Sequence, residues 1–78
     1  GLTKVLKYYV DEFVRRVDPE MTNFIIIGYT SDSIVAEALK TKLLSETGFK
    51  GDIYIMQMGV SVGTHVGLGG LSMFYIEK

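Results

Sequence analysis

Seventy-eight residues form one domain at most, burying only about 60–65% of the surface the unfolded chain exposes. There is no cysteine and one histidine, which excludes disulfide frameworks, thiolate zinc sites and cysteine nucleophiles together. The net charge is −1, with acids and bases mixed along the chain, so no basic patch is expected for nucleic acid or anionic lipid.

Hydrophobic residues make up 47% and the mean hydropathy is positive, high for a short soluble chain. A compact α/β core with long strands would explain this. So would an apolar surface facing a partner domain or an acyl chain. No run reaches the ~18 apolar residues of a membrane span, and no signal segment opens the chain. A cytoplasmic protein is expected.

The first element is a helix over Leu2 to Val17. Leu2, Leu6, Tyr9, Phe13 and Val17 form its apolar stripe, with Val10 and Val14 beside them. Lys4, Lys7, Asp11, Glu12, Arg15 and Arg16 make a solvated face, where Asp11 with Arg15 and Glu12 with Arg16 have i,i+4 spacing. Asp18-Pro19 ends the helix. Phe24 to Ile27, closed by Gly28, reads as a strand buried on both faces, as in a parallel sheet.

Thr30, Ser31, Asp32 and Ser33 supply N-cap candidates for a second helix. That helix carries Val35, Ala38, Leu39 and Leu43 and stops at Gly48. Ile53 to Met58 is the next strand. Strand, helix and strand make a βαβ unit with a right-handed crossover. In this strand Tyr54, Met56 and Met58 share one face, and Ile53, Ile55 and Gln57 the other. Methionine suits a pocket for a flexible chain, but spacing alone favours core.

Gly59, Gly63, Gly67, Gly69 and Gly70 then crowd one segment together with Ser61, Thr64 and His65, before a last strand over Leu71 to Ile76. On this last strand Phe74 and Ile76, or Leu71, Met73 and Tyr75, could equally face a ligand or the core. The expected fold is α/β: a βαβ unit plus an N-terminal helix and a C-terminal strand, giving a small mixed sheet with helices packed on it. Residues 1–78 form a single domain or a fragment of one.

The glycine-rich segment is the one unusual stretch. Backbone N–H groups brought close together can face an anion, and the Thr64 hydroxyl and His65 imidazole add donors. Composition alone also allows a plain glycine-rich connection. No Gly-Lys-Ser/Thr ending makes it a Walker loop, and it leads into a strand, unlike a dinucleotide fingerprint. No acidic residue between Asp52 and Glu77 orients His65 for triad catalysis, and a lone histidine makes no zinc site. No catalytic residue, metal site or cofactor is expected.

The last third of the chain resembles the C-terminal end of the DegV family. Those proteins read a strand, then Gly-Pro-x-x-Gly-Thr-His-x-Gly-Pro-Gly, then a final apolar strand. The matching residues here are Gly59, Gly63, Thr64, His65, Gly67 and Gly69, followed by Leu71 to Lys78. The upstream order of elements also fits, including the run Gly28-Tyr29-Thr30-Ser31-Asp32.

The resemblance implies the C-terminal part of a two-domain bacterial protein that encloses a long-chain fatty acid. His65 would donate to the carboxylate, with Thr64 and the backbone of Gly63, Gly67 and Gly69 shaping the mouth. Implied partners are the fatty acid, an N-terminal domain outside these 78 residues, and in some members a kinase that makes an acyl phosphate. Val60 and Leu68 stand where the family has proline, so the loop lacks that pre-set backbone.

The leading expectation is thus a lipid-binding module that carries fatty acid without transforming it. The alternatives are a phosphate-binding domain of a phosphoryl-transfer protein, and an assembly domain whose apolar face meets another chain.

Overall fold

The apolar stripe of the first segment winds as α1, Leu2–Arg16, in a computed structural model that describes residues 1–58 and 70–78. Leu6, Tyr9, Val10 and Phe13 are buried, while Leu2 and Val14 at its margins are exposed. Val17 turns to extended backbone and Asp18 closes the turn, its carboxylate accepting from the Glu20 and Met21 N–H groups. Glu12 pairs with Arg16 at 3.1 Å, as its spacing predicts. Arg15 does not turn to Asp11. It takes Glu12 one residue closer at 2.6 Å, and Asp11 takes Lys7 instead.

The remaining elements follow as β1 (Phe24–Tyr29), α2 (Ser33–Thr47), β2 (Asp52–Gln57) and β3 (Leu71–Phe74). Asp32 is the residue that caps α2, accepting from Ile34 N–H at 2.9 Å. Gly48 ends α2 in the left-handed conformation at φ 66°, as its sequence position predicts. β1 is central, in the order β2-β1-β3, parallel to β2 and antiparallel to β3. Two helices on a three-stranded mixed sheet is the expected α/β architecture.

Two expectations change. Gly28 does not close β1; it lies within the strand opposite Met56 and Ser72. Nor is β1 buried on both faces. Ile25 and Ile27 have no exposed surface, whereas Phe24 on the opposite face is half exposed. The reason is layering. The side chains of α1 and α2 form one core with Ile25, Ile27 and Leu71 on a single face of the sheet. Ile53, Ile55, Met73 and Tyr75 complete that face.

Beyond β3 the chain folds back along the end of α1. Asp18 N–H donates to Ile76 O at 2.8 Å, Lys78 N–H donates to Arg16 O at 2.9 Å, and Val17 bridges Glu77. The Thr22 hydroxyl adds a bond to Ile76 O. This stitching is why the last strand stops at Phe74 rather than continuing to Ile76.

Candidate functional site

The predicted ligand residues Gly63, Thr64, His65, Gly67 and Gly69 lie outside the described residues. The residues flanking them are described, and they meet at one place. β1 and β2 are parallel, so Tyr29 and Gln57 both end at the same edge of the sheet, paired with each other. Met58 N–H donates to Tyr29 O at 2.7 Å. Gly70 returns to the next residue along: its carbonyl accepts from Thr30 N–H at 3.1 Å and from the Thr30 hydroxyl at 3.4 Å. Gln57 Nε2 reaches Thr30 O at 3.5 Å. The region outside the carboxyl ends of parallel strands is where open α/β sheets bind ligands.

The start of α2 lies just after this edge, but its end charge is already answered. Asp32 occupies the cap position with its carboxylate on Ile34 N–H. A negative charge there offsets the partial positive charge of the helix end and repels a second anion. An anionic group at this edge therefore needs donors from elsewhere than the N-terminus of α2.

The sheet face turned away from the helices is apolar and open. Register places Ile26, Tyr54 and Phe74 side by side on it, with Gly28, Met56 and Ser72 the next row toward the carboxyl ends. Phe24, Tyr54, Met56 and Phe74 are 50, 51, 48 and 45% exposed, far more than core residues would be. So the Tyr54–Met56 face is not core, against the reading that spacing alone favours. Its partner face, with Ile53 and Ile55, packs on the helices instead. Leu71, Met73 and Tyr75 side with the core, and Phe74 and Ile76 are exposed.

A groove of about 360 Å³ opens on this face between Met21, Phe24, Ile26, Phe74 and Ile76. Phe24 and Tyr54 meet edge to face across it at 6.0 Å. Apolar surface of this extent on a parallel-paired sheet normally has something lying on it.

A larger cavity, about 560 Å³, opens at the opposite end of the sheet between the C-terminal ends of the two helices. Phe13, Val14, Val17 and Phe49 line it together with Thr22 and Thr47. Both hydroxyls are already committed, Thr22 to Ile76 O and Thr47 to Leu43 O. With those groups engaged, this cavity offers little to orient a polar ligand.

Thr30, Gln57 and Gly70 were not singled out by sequence patterns. Gly70 belongs to the glycine run, and its place directly before an apolar strand was the available signal. No helix among the described residues is long and apolar enough to cross a membrane.

No family profile matches the chain, and no solved structure matches it significantly. Among curated proteins it is similar to DegV domain-containing proteins of Streptococcus pyogenes, including those of serotype M3 (strain SSI-1) and serotype M1. Each is 32% identical over 70 residues, covering 88% of this chain but 24% of the relative. The chain thus spans about a quarter of the length of the curated relatives it matches, and over most of its own length it is similar to one part of a DegV domain-containing protein.

Proposed function

We propose that the chain is the carboxylate-holding part of a cytoplasmic fatty-acid-binding protein of the DegV type, and that it carries its ligand without transforming it. His65 donates to the carboxylate, Thr64 and the backbone of Gly63, Gly67 and Gly69 shape the mouth, and the acyl chain runs along the open sheet face. A fatty-acid kinase that takes up the presented carboxylate is the partner in this scheme.

The observation that carries the proposal is one juxtaposition. The residues flanking the Gly-Thr-His segment are fixed to the ends of β1, and the open apolar face with Met56 starts one row away. Polar recognition at one end and apolar surface leading away from it suit an amphiphile with a single charged head. β1 extends about 20 Å at ~3.3 Å per residue, the reach of a long acyl chain. Each buried methylene adds about 0.8 kcal/mol. The charge-assisted bond to the head then selects acid over neutral lipid.

Two measurements test this in the longest natural chain that carries the segment. Denaturing extraction and mass spectrometry of protein purified without added lipid should return near-stoichiometric fatty acid. His65→Ala should weaken binding of a long-chain fatty acid by about tenfold or more, the loss of a hydrogen bond to a charged group. An empty extract with no later uptake of fatty acid would sink the ligand class. Unchanged affinity in His65→Ala would sink the residue assignment.

The exposed sheet face also suits the assembly reading, since a second protein layer would cover it equally well. A mass that rises with concentration in lipid-free protein favours that alternative. The phosphate-binding reading is less suited to this edge, because Asp32 already sits at the N-terminus of α2.

A further inference from the structure

Thr30 follows β1 directly, and all three of its polar groups are engaged. Its N–H and its hydroxyl both donate to Gly70 O, and its carbonyl accepts from Gln57 Nε2. Among the described residues Gly70 O is the only partner of that hydroxyl. A valine of the same shape would suit the end of a strand equally well, so the fold of β1 does not call for a hydroxyl here.

Gly70 is constrained twice over. Its φ of 71° is a left-handed backbone that side chains disfavour. Independently, a Cβ at this position would stand 2.8 Å from Thr30 Oγ1. Thr30 thus fits against an α-carbon that must stay bare. On the other side, Met58 N–H is held by Tyr29 O. Two consecutive residues of β1's end, Tyr29 and Thr30, therefore hold the two residues between which the Gly-Thr-His segment runs.

The geometry points to Thr30 and Gly70 as a positioning pair for carboxylate recognition, acting through the His65-bearing segment whose return point they fix. This rests on the fatty-acid reading above and names residues that reading does not use. The apolar chain is met by the sheet face, whereas the head group is met by what Thr30 and Gly70 hold in register. Loss of the pair should therefore weaken binding of the acid and leave the neutral lipid alone. A residue that merely stabilised the fold would move both together.

The test compares a saturated long-chain fatty acid with its methyl ester, in the longest natural chain carrying the segment, for the parent, Thr30→Val, Thr30→Ser and Gly70→Ala. Melting temperatures are taken alongside. The parent should prefer the acid. Thr30→Val should lower that preference by about two- to tenfold, the range of one hydrogen bond. Thr30→Ser, which keeps the donor, should restore it. Gly70→Ala should lower it at least as far as Thr30→Val, and the threonine pair decides the matter if that variant does not fold. A folded Thr30→Val with the parent's acid-to-ester ratio overturns the positioning role, even if its melting temperature falls. A parent with no preference for the acid overturns the fatty-acid reading itself.

Discussion

Met58 lies over Gly28 on the open face of the sheet: a Cβ built on Gly28 would stand 2.7 Å from Met58 Cγ and closer still to its sulfur. Glycine in the middle of a strand normally weakens it. Here the missing side chain makes room for the last apolar residue before the Gly-Thr-His segment. Gly28→Ala should destabilise the parent by about 1 kcal/mol, because overpacking costs about 1–3 kcal/mol and the stiffer unfolded chain returns about 0.4–1 kcal/mol. In a Met58→Ala background the same change should be neutral or stabilising. Urea denaturation of the four proteins in this cycle measures the coupling, and additive effects would mean that the contact is not formed.

The open face separates ligand binding from folding. Tyr54 and Met56 are half exposed, so Met56→Lys should change stability by no more than about 0.5 kcal/mol. It should nevertheless cut fatty-acid affinity by about tenfold or more, since it places a charge beside the acyl path. Leu39→Ala, at a core position with no exposed surface, should instead cost about 2–5 kcal/mol of stability. Thermal melts with isothermal titration distinguish the two. Full affinity in Met56→Lys would place the acyl chain elsewhere.

Two glycines near the start of β2 are needed for different reasons. At Gly51 a Cβ would stand 2.6 Å from Phe49 Cζ and would collide with Asn23 O, which accepts the first bond between the strand entrances from Asp52 N–H. At Gly48 nothing lies within 4 Å, but φ is 66°. Gly51→Ala should therefore cost about 1–3 kcal/mol through crowding. Gly48→Ala should cost about 1–2 kcal/mol through left-handed strain alone. Gly48→Asn should recover part of that loss, since asparagine tolerates the conformation, whereas Gly51→Asn should be worse than alanine. Equal recovery at both positions in denaturation midpoints would contradict the crowding at Gly51.

Alkaline stability should report on Tyr9. Burial pushes its hydroxyl above the ordinary tyrosine value of 10.0, with the neighbouring Tyr8 adding to the effect. The folded state thus holds this proton more tightly than the unfolded one. The associated stability is complete below pH 10.0 and is lost as pH rises through the higher folded value. Tyr75 shifts the same way, mainly by burial. Tyr9→Phe removes a buried bond to Leu71 O, so it should cost about 0.5–1.5 kcal/mol near neutrality and flatten the decline above pH 10.0. Denaturation curves from about pH 8 to about pH 11 check both parts; an unaltered alkaline slope would assign the decline to other groups.

Periodicity was enough to place both helices, the Gly48 stop and the three strands, because each rests on local chemistry that the sequence spells out. Layering was not legible. Phe24-Ile25-Ile26-Ile27 is equally apolar at every position, so the pattern could not say that only Ile25 and Ile27 face helices. The same holds for Tyr54 and Met56, whose side of the sheet depends on where two distant helices settle. Arg15 was misassigned for a smaller reason: Glu12 and Asp11 are both within one turn of it, and spacing does not rank them. The site residues Gly63, Thr64, His65, Gly67 and Gly69 lie outside the described residues, while the Thr30–Gly70 contact spans a sequence distance that no local motif can signal.

The placement of β3 bears on how the molecule is made. β1 is the middle strand, yet one of its two neighbours, Leu71–Phe74, is synthesised more than forty residues after it and follows the Gly-Thr-His segment. On a ribosome, β1 and β2 with their crossover helix can assemble first, leaving the other edge of β1 bare until the glycine-rich stretch has been translated. During that interval Ile25 and Ile27 border an unpaired strand edge, the kind of surface on which nascent chains join one another. The segment assigned here to ligand recognition is therefore also the connection whose completion closes the sheet, so a substitution within it can reduce the yield of folded protein before any ligand is met.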